Sequence, residues 1–143
     1  MKKEKLNPTE RKAYRELFIN RDDVYKRQNP GGNGYYDVHD PLTDEILFNP
    51  EENVGSYQLD KNNQVRYAVL DIDIIKEVHS RENFKVGDWL PKLQLQARIA
   101  NDLLKAKGID ALIEFSGFKG YHLWIFLKEP TNAMILRQFM QIT

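Results

Sequence analysis

Two short stretches hold the residues best suited to chemistry. Asp71-Ile72-Asp73 closes an apolar run, and residues two apart on a strand point the same way, with bases roughly 7 Å apart. Two carboxylates on one face repel each other and lose hydration. A divalent cation relieves both penalties, and hard oxygen donors suit magnesium or manganese. The same pair also fits a strand running out into solvent. The second stretch, Ser116-Gly117-Phe118-Lys119-Gly120-Tyr121-His122, offers a hydroxyl, an ammonium, an imidazole and two glycines within seven residues. Glycine lets backbone N–H groups approach an anion, and lysine is a point charge suited to phosphate. The Gly-Lys-Ser/Thr ending of a P-loop is absent. A hairpin loop with a surface lysine and a histidine at the core's edge is the plainer reading.

Weaker candidates surround these. His39 between Asp37 and Asp40 has the makings of a metal trio, but in a turn-rich loop it reads as a solvated cluster. His79 reads as an exposed polar residue, and the Pro30–Gly34 cluster as a turn. Trp89, Leu93 and Ala97 have core spacing.

The elements that must position these groups follow from pattern. Val65 to Ile74 is the strongest strand; Val65, Tyr67 and Val69 share one face and Ala68, Leu70 and Ile72 the other, which predicts a central place in a sheet. Ala111–Phe115 and Tyr121–Leu127 read as antiparallel strands joined by 116–120. The strand ending at Asp71–Asp73 and the one beginning at His122 are expected to share one sheet. Asn7-Pro8-Thr9-Glu10 predicts a capped helix start, with Tyr14, Leu17 and Phe18 as its stripe. A second helical turn is expected at 22–27, and another at 43–48. Short strands are expected at 35–38 and 54–59, the latter closed by a hairpin turn at 60–63. Gly87-Asp88 is expected to cap a helix from Trp89 to Lys107, stopped by Gly108. Pro130-Thr131-Asn132 is expected to open a last helix carrying Met134, Ile135, Phe139 and Ile142. The fold class is α/β in the α+β sense: a mixed or antiparallel sheet with flanking helices.

Composition narrows the function classes. The chain has 143 residues, 41% of them hydrophobic and 29% charged, which describes one globular domain. That domain divides into a helical and loop-rich module over 1–64 and a motif-bearing αβ part over 65–143. No apolar run approaches the ~18 residues of a membrane span, so no membrane partner is expected. There is no cysteine, which excludes disulfides, zinc-thiolate sites and cysteine nucleophiles, and which fits the cytoplasm. Net charge is zero but uneven. Residues 1–30 hold nine basic against five acidic groups, 31–60 none against seven, and 61–143 twelve against nine. A uniformly basic nucleic-acid coat is excluded, while a local basic surface is not.

Taken in order, Leu70-Asp71-Ile72-Asp73, a helix, and Ser116-Gly-Phe-Lys-Gly-Tyr-His122-Leu-Trp-Ile-Phe126 resemble the archaeo-eukaryotic primase superfamily. The second stretch is similar to the polymerase domains of bacterial multifunctional DNA ligases. Arg21–Tyr25, Pro41–Asp44 and Val54–Tyr57 look closer to the primase-polymerases of CRISPR loci and transposon-linked conflict systems. The resemblance implies template-directed nucleotidyl transfer, by primer synthesis or extension, on nucleoside triphosphates and a DNA or RNA template-primer. It implies that Asp71 and Asp73 hold two Mg2+ or Mn2+ ions, and that Ser116, Gly117, Lys119, Gly120 and His122 bind the nucleotide's triphosphate. The zinc-binding cysteines of some relatives have no counterpart in 28–50, so no zinc site is implied. The family's third metal-binding acid lies on a later strand, and the chain is expected to be the front part of a catalytic core, inactive alone. A helicase or nuclease partner cannot be named from the residues.

Three classes of function therefore stand: a primase-polymerase enzyme, a nucleotide- or nucleic-acid-binding module with an incomplete metal site, and an α/β structural domain whose motifs coincide by chance. Distance separates the last from the others, since coincidental motifs have no reason to meet.

Overall fold

The structure, a computed structural model, describes residues 6–80 and 82–142. It is an α+β fold in two compact units, one of residues 6–66 with 127–142 and the other of Tyr67–Phe126. No helix among the described residues is long and apolar enough to cross a membrane.

The first unit opens with α1 (Pro8–Phe18). Its start is a capping box: the Asn7 side chain accepts from the Glu10 N–H, and the Glu10 carboxylate accepts from the Asn7 N–H. Strands β1 (Tyr25–Gln28), β2 (Tyr35–Val38) and β3 (Val54–Ser56) form an antiparallel sheet in the order β2-β1-β3. A single turn, α2 (Asp44–Leu47), lies between β2 and β3. Tyr25, Leu42, Leu47 and Phe48 form the core, against which Tyr14, Ile19 and Val54 pack.

Two expectations fail in this unit. Residues 25–28 are a strand and not a helical turn: Tyr25 is buried while Lys26 turns outward to Asp37, a period of two. The turn at 60–63 is real, since the Asp60 carboxylate accepts from the N–H groups of Asn62 and Gln64 and Asn63 takes φ +57°. It joins strands that do not pair, because β3 lies on β1.

Strand β4 (Gln64–Asp73) leads into the second unit, where α3 (Lys76–His79), a 3₁₀ turn (Val86–Asp88), α4 (Leu90–Ala106) and β5 (Leu112–Phe115) follow. Strand β6 (Gly120–Asn132) then begins there and runs on into the first unit, where α5 (Ala133–Ile142) closes the order. The second sheet has the order β4-β6-β5 and is antiparallel. The strand expected to be central, β4, is thus an edge of this sheet, and β6 is its middle. Apolar residues on both faces of a strand report layers above and below it, not strands on either side.

Asp88 is not the cap of α4. It ends the 3₁₀ turn, and Trp89 takes the N-cap position without a side-chain cap bond. The helix buries Leu93, Ala97 and Leu104. It ends in a Schellman motif, with Ile109 N–H on Leu104 O, Gly108 N–H on Lys105 O, and Gly108 at φ +76°. The last helix starts later than expected because β6 runs through Pro130 to Asn132, whose side chain then accepts from the Met134 N–H.

Candidate functional site

Alternation along β4 decides where its acids point. Ile72 and Ile74 enter a core cluster with Val78, Leu93, Trp89 and Tyr121. By alternation Asp71 and Asp73, one residue out of step, belong to the other face of the sheet, and Asp73, at the strand's end, also borders the cleft that Ile74, Val78 and Leu93 line. On β6 the same rule sends Tyr121 and Leu123 inward, Leu123 being fully buried, and leaves His122 and Trp124 on the aspartate side. On β5, Glu114 stands opposite His122 in the register and Leu112 opposite Trp124.

The loop between β5 and β6 is closed by its own ends. Ser116 N–H donates to Gly120 O at 3.0 Å, and Gly120 N–H donates to Ser116 Oγ at 3.1 Å. Gly117 sits at φ +94°, where a side chain is strained. Gly120 answers a different need: a Cβ there would stand 2.6 Å from Ile72 O and 3.2 Å from Asp73 Cα. The absence of a side chain lets β6 lie directly against the aspartate end of β4.

That approach brings the two motifs together. Lys119 Nζ is 2.7 Å from Asp73 Oδ2. The other oxygen of Asp73 accepts from the Ile74 N–H at 2.7 Å. Partial burial pushes the Asp73 carboxyl up, but the Lys119 hydrogen bond, the Ile74 N–H and the charges of Lys119 and His79 outweigh it, and its pKa lies below the ordinary carboxylate value. Two residues back, Asp71 Oδ1 is 3.8 Å from His122 Nε2, and the Asp71 side chain is 65% exposed. Ser116 and Gly117 are exposed at the start of the loop.

Two further residues belong here. Glu114 Oε2 accepts from His122 Nδ1 at 3.1 Å and from Trp124 Nε1 at 2.7 Å. The signal for it was present in the chain: a loop of 116–120 flanked by Phe115 and Tyr121 pairs 114 with 122. His79 packs its ring 4.9 Å from Phe84 and 6.2 Å from Phe118 of the loop; nothing in its polar sequence surroundings signalled this. The His39 group dissolves as a metal trio, since Asp37 is taken by Lys26 Nζ and Tyr57 Oη, each at 2.6 Å. Beside Asp73 opens a cleft of about 240 Å³, lined also by Ile74, Val78, Leu93, Trp89, Lys92 and Gln96.

Chemically, the two motifs meet as two pairs, Lys119 with Asp73 and His122 with Asp71, and Glu114 adds a third carboxylate on the far side of the His122 ring. The donor set fits a hard divalent cation, and the Lys119 ammonium already sits on Asp73 as a positive charge. Among the described residues no cluster of three or more His, Asp or Glu groups is arranged to hold a metal.

A family model described as the archaeo-eukaryotic primase domain of the TOTE conflict system matches residues 41–143, a span that includes every residue of this face. No curated protein matches the chain.

Proposed function

The chain belongs to the archaeo-eukaryotic primase domain family of TOTE conflict systems, a primase-like nucleotidyl-transfer module with nucleotide and nucleic-acid substrates, and on that premise we propose that its β4–β6 face carries metal-dependent, template-directed primer synthesis or extension. The observation that supports this reading is the meeting of the acidic and basic motifs across neighbouring strands, at 2.7 Å for Lys119 with Asp73 and 3.8 Å for His122 with Asp71.

Each side chain has a role in that reading. Asp71 and Asp73 would hold divalent cations, with Mg2+ and Mn2+ the ions their hard oxygens favour. Such ions, when bound, supply activation of the attacking 3′-hydroxyl and charge stabilisation of the departing pyrophosphate. Lys119 and His122 hold phosphate oxygens and offset their charge, through charge-assisted hydrogen bonds. Ser116 adds a hydroxyl and Gly117 keeps the loop low enough for phosphate to lie along it, while Gly120 seats the loop against β4. Together these groups would position the triphosphate for attack, and positioning of this kind accounts for much of the catalysis in phosphoryl transfer.

Primer extension on a templated primer with manganese and four nucleotides tests this. Extension by the protein that Asp71→Asn with Asp73→Asn abolishes supports the reading; equal extension by the double variant overturns it. Fluorescent nucleotide binding supplies a second arm. Lys119→Ala should weaken triphosphate binding at least tenfold while leaving nucleoside binding unchanged. Triphosphate binding with no extension, by this chain and by any longer protein that contains it, marks a nucleotide-binding module without transfer.

A further inference from the structure

We infer that Glu114 is a positioning residue that fixes which nitrogen of His122 faces the aspartates. One oxygen, Glu114 Oε2, receives both His122 Nδ1 at 3.1 Å and Trp124 Nε1 at 2.7 Å. A carboxylate only accepts, so the proton of the first bond lies on Nδ1 whatever the charge of the ring. Nε2 is then the atom left for the site, and it is the one directed at Asp71, 3.8 Å away.

Glu114 is itself held in place. Its side chain is 54% exposed, and a glutamate that exposed has many rotamers open to it. The Trp124 indole N–H is a fixed donor on a ring stacked within 9° of Phe126 and edge-on to Tyr67, so it selects the rotamer that reaches His122. The register supplies the reach, since Glu114 and His122 are directly opposed across β5 and β6. The arrangement is a chain: an aromatic donor orients a carboxylate, the carboxylate orients an imidazole, and the imidazole presents one nitrogen. An outer partner of this kind is what sets tautomer and ring direction wherever histidine serves a site.

The consequence for nucleotide binding rests on the reading of His122 as a phosphate ligand, and the experiment separates the two. Ring 15N shifts of His122 are recorded at mildly alkaline pH, with His122→Gln identifying its signals against those of His39 and His79. The wild type should show the Nδ1–H pattern. Glu114→Gln should keep it, since the amide oxygen still accepts. Glu114→Ala should lose it, giving the mixed pattern of a free ring, and Trp124→Phe should loosen it part of the way. A Nε2–H pattern in the wild type, or no change in Glu114→Ala, overturns the inference. Triphosphate affinity is then read on the same proteins. A roughly tenfold loss in Glu114→Ala, rescued by Glu114→Gln, supports positioning for phosphate. Tautomer release with unchanged triphosphate affinity upholds the positioning by Glu114 and overturns the phosphate role of His122.

Discussion

Lys119 Nζ lies 2.7 Å from Asp73 Oδ2, so the cation proposed to meet phosphate occupies the carboxylate proposed to meet metal. The contact relieves the charge of Asp73 in the absence of ligand and keeps two aspartates on one face from repelling each other at full strength. On the proposed roles of the two residues it would also make nucleotide and metal binding interdependent. A triphosphate that draws Lys119 away uncovers Asp73, and a metal ion on Asp73 frees Lys119 for phosphate. Two sites linked in this way change each other's affinity by the same factor.

Lys119→Ala should therefore have opposite effects on the two ligands. Without nucleotide, manganese affinity should rise severalfold, because no ammonium competes for Asp73. Triphosphate affinity should fall at least tenfold. Water-proton relaxation for manganese and fluorescence titration for nucleotide check the pair. A fall in manganese affinity would show that Lys119 does not compete for the carboxylate.

Gly120→Ala should destabilise the protein by about 1–3 kcal/mol, the range for forcing atoms into a filled space. The new methyl would stand 2.6 Å from Ile72 O, a backbone atom that moves only if the strand moves. Since that strand carries Asp71 and Asp73, manganese binding should weaken as well. Gly87→Ala is the control, because its Cβ meets nothing within 4 Å and its φ is not in the left-handed region. Urea denaturation and manganese titration of both variants give the comparison; equal stabilities would mean that the strands do not lie as close as this.

The site was more legible in the chain than the sheet that carries it. Period-two alternation alone sends Asp71 and Asp73 to one face and puts His122 and Trp124 on a common face of the later strand, and hairpin arithmetic pairs Glu114 with His122. Lateral order was not legible: Tyr67 and Ala68 are buried on opposite faces of β4, yet β4 is an edge. Burial of faces and pairing of edges are separate properties, and side-chain pattern records only the first. The helical turn expected at 22–27 fails for a related reason: Val24 and Tyr25 enter the core, while Arg21 and Asp23 pair with each other as a short-range clamp. The role of Gly120 was half legible, since a glycine beside a lysine suggests anion approach, while the 2.6 Å strand contact depends on a neighbour 48 residues away.

Acid should destabilise the first unit through Asp23. Hydrogen bonding to Arg21 lowers its pKa most, partial burial opposes this, and Lys61 adds to the lowering. Arg21 grips both oxygens, at 2.8 and 3.2 Å. A carboxylate depressed in the folded state contributes stability at pH values above its unfolded pKa of about 3.9, and that contribution is lost as pH falls through the lower folded value. Asp23→Asn should therefore be less stable than wild type at neutral pH and should lose less on acidification, so that the two urea midpoints approach each other as pH falls below the unfolded pKa toward the folded one. Parallel midpoint curves would show that the pair contributes nothing to the pH dependence.

The two aspartates should differ in how they meet a cation. Asp73 is held by Lys119 and by the Ile74 N–H, whereas Asp71 is largely exposed and faces the His122 ring at 3.8 Å. A hydrated divalent ion arriving without nucleotide meets Asp71 first, because recruiting Asp73 requires the ammonium to leave. Asp71→Asn should then abolish most manganese binding by the nucleotide-free protein, and Asp73→Asn should remove less of it. With nucleoside triphosphate present, Lys119 is drawn to phosphate and both carboxylates are open, so the two variants should become about equally weak. Manganese relaxation titrations of both variants, with and without triphosphate, separate these cases. A larger loss from Asp73→Asn than from Asp71→Asn in the absence of nucleotide would mean that the ion displaces Lys119 unaided, and that the Lys119–Asp73 pair does not gate the site.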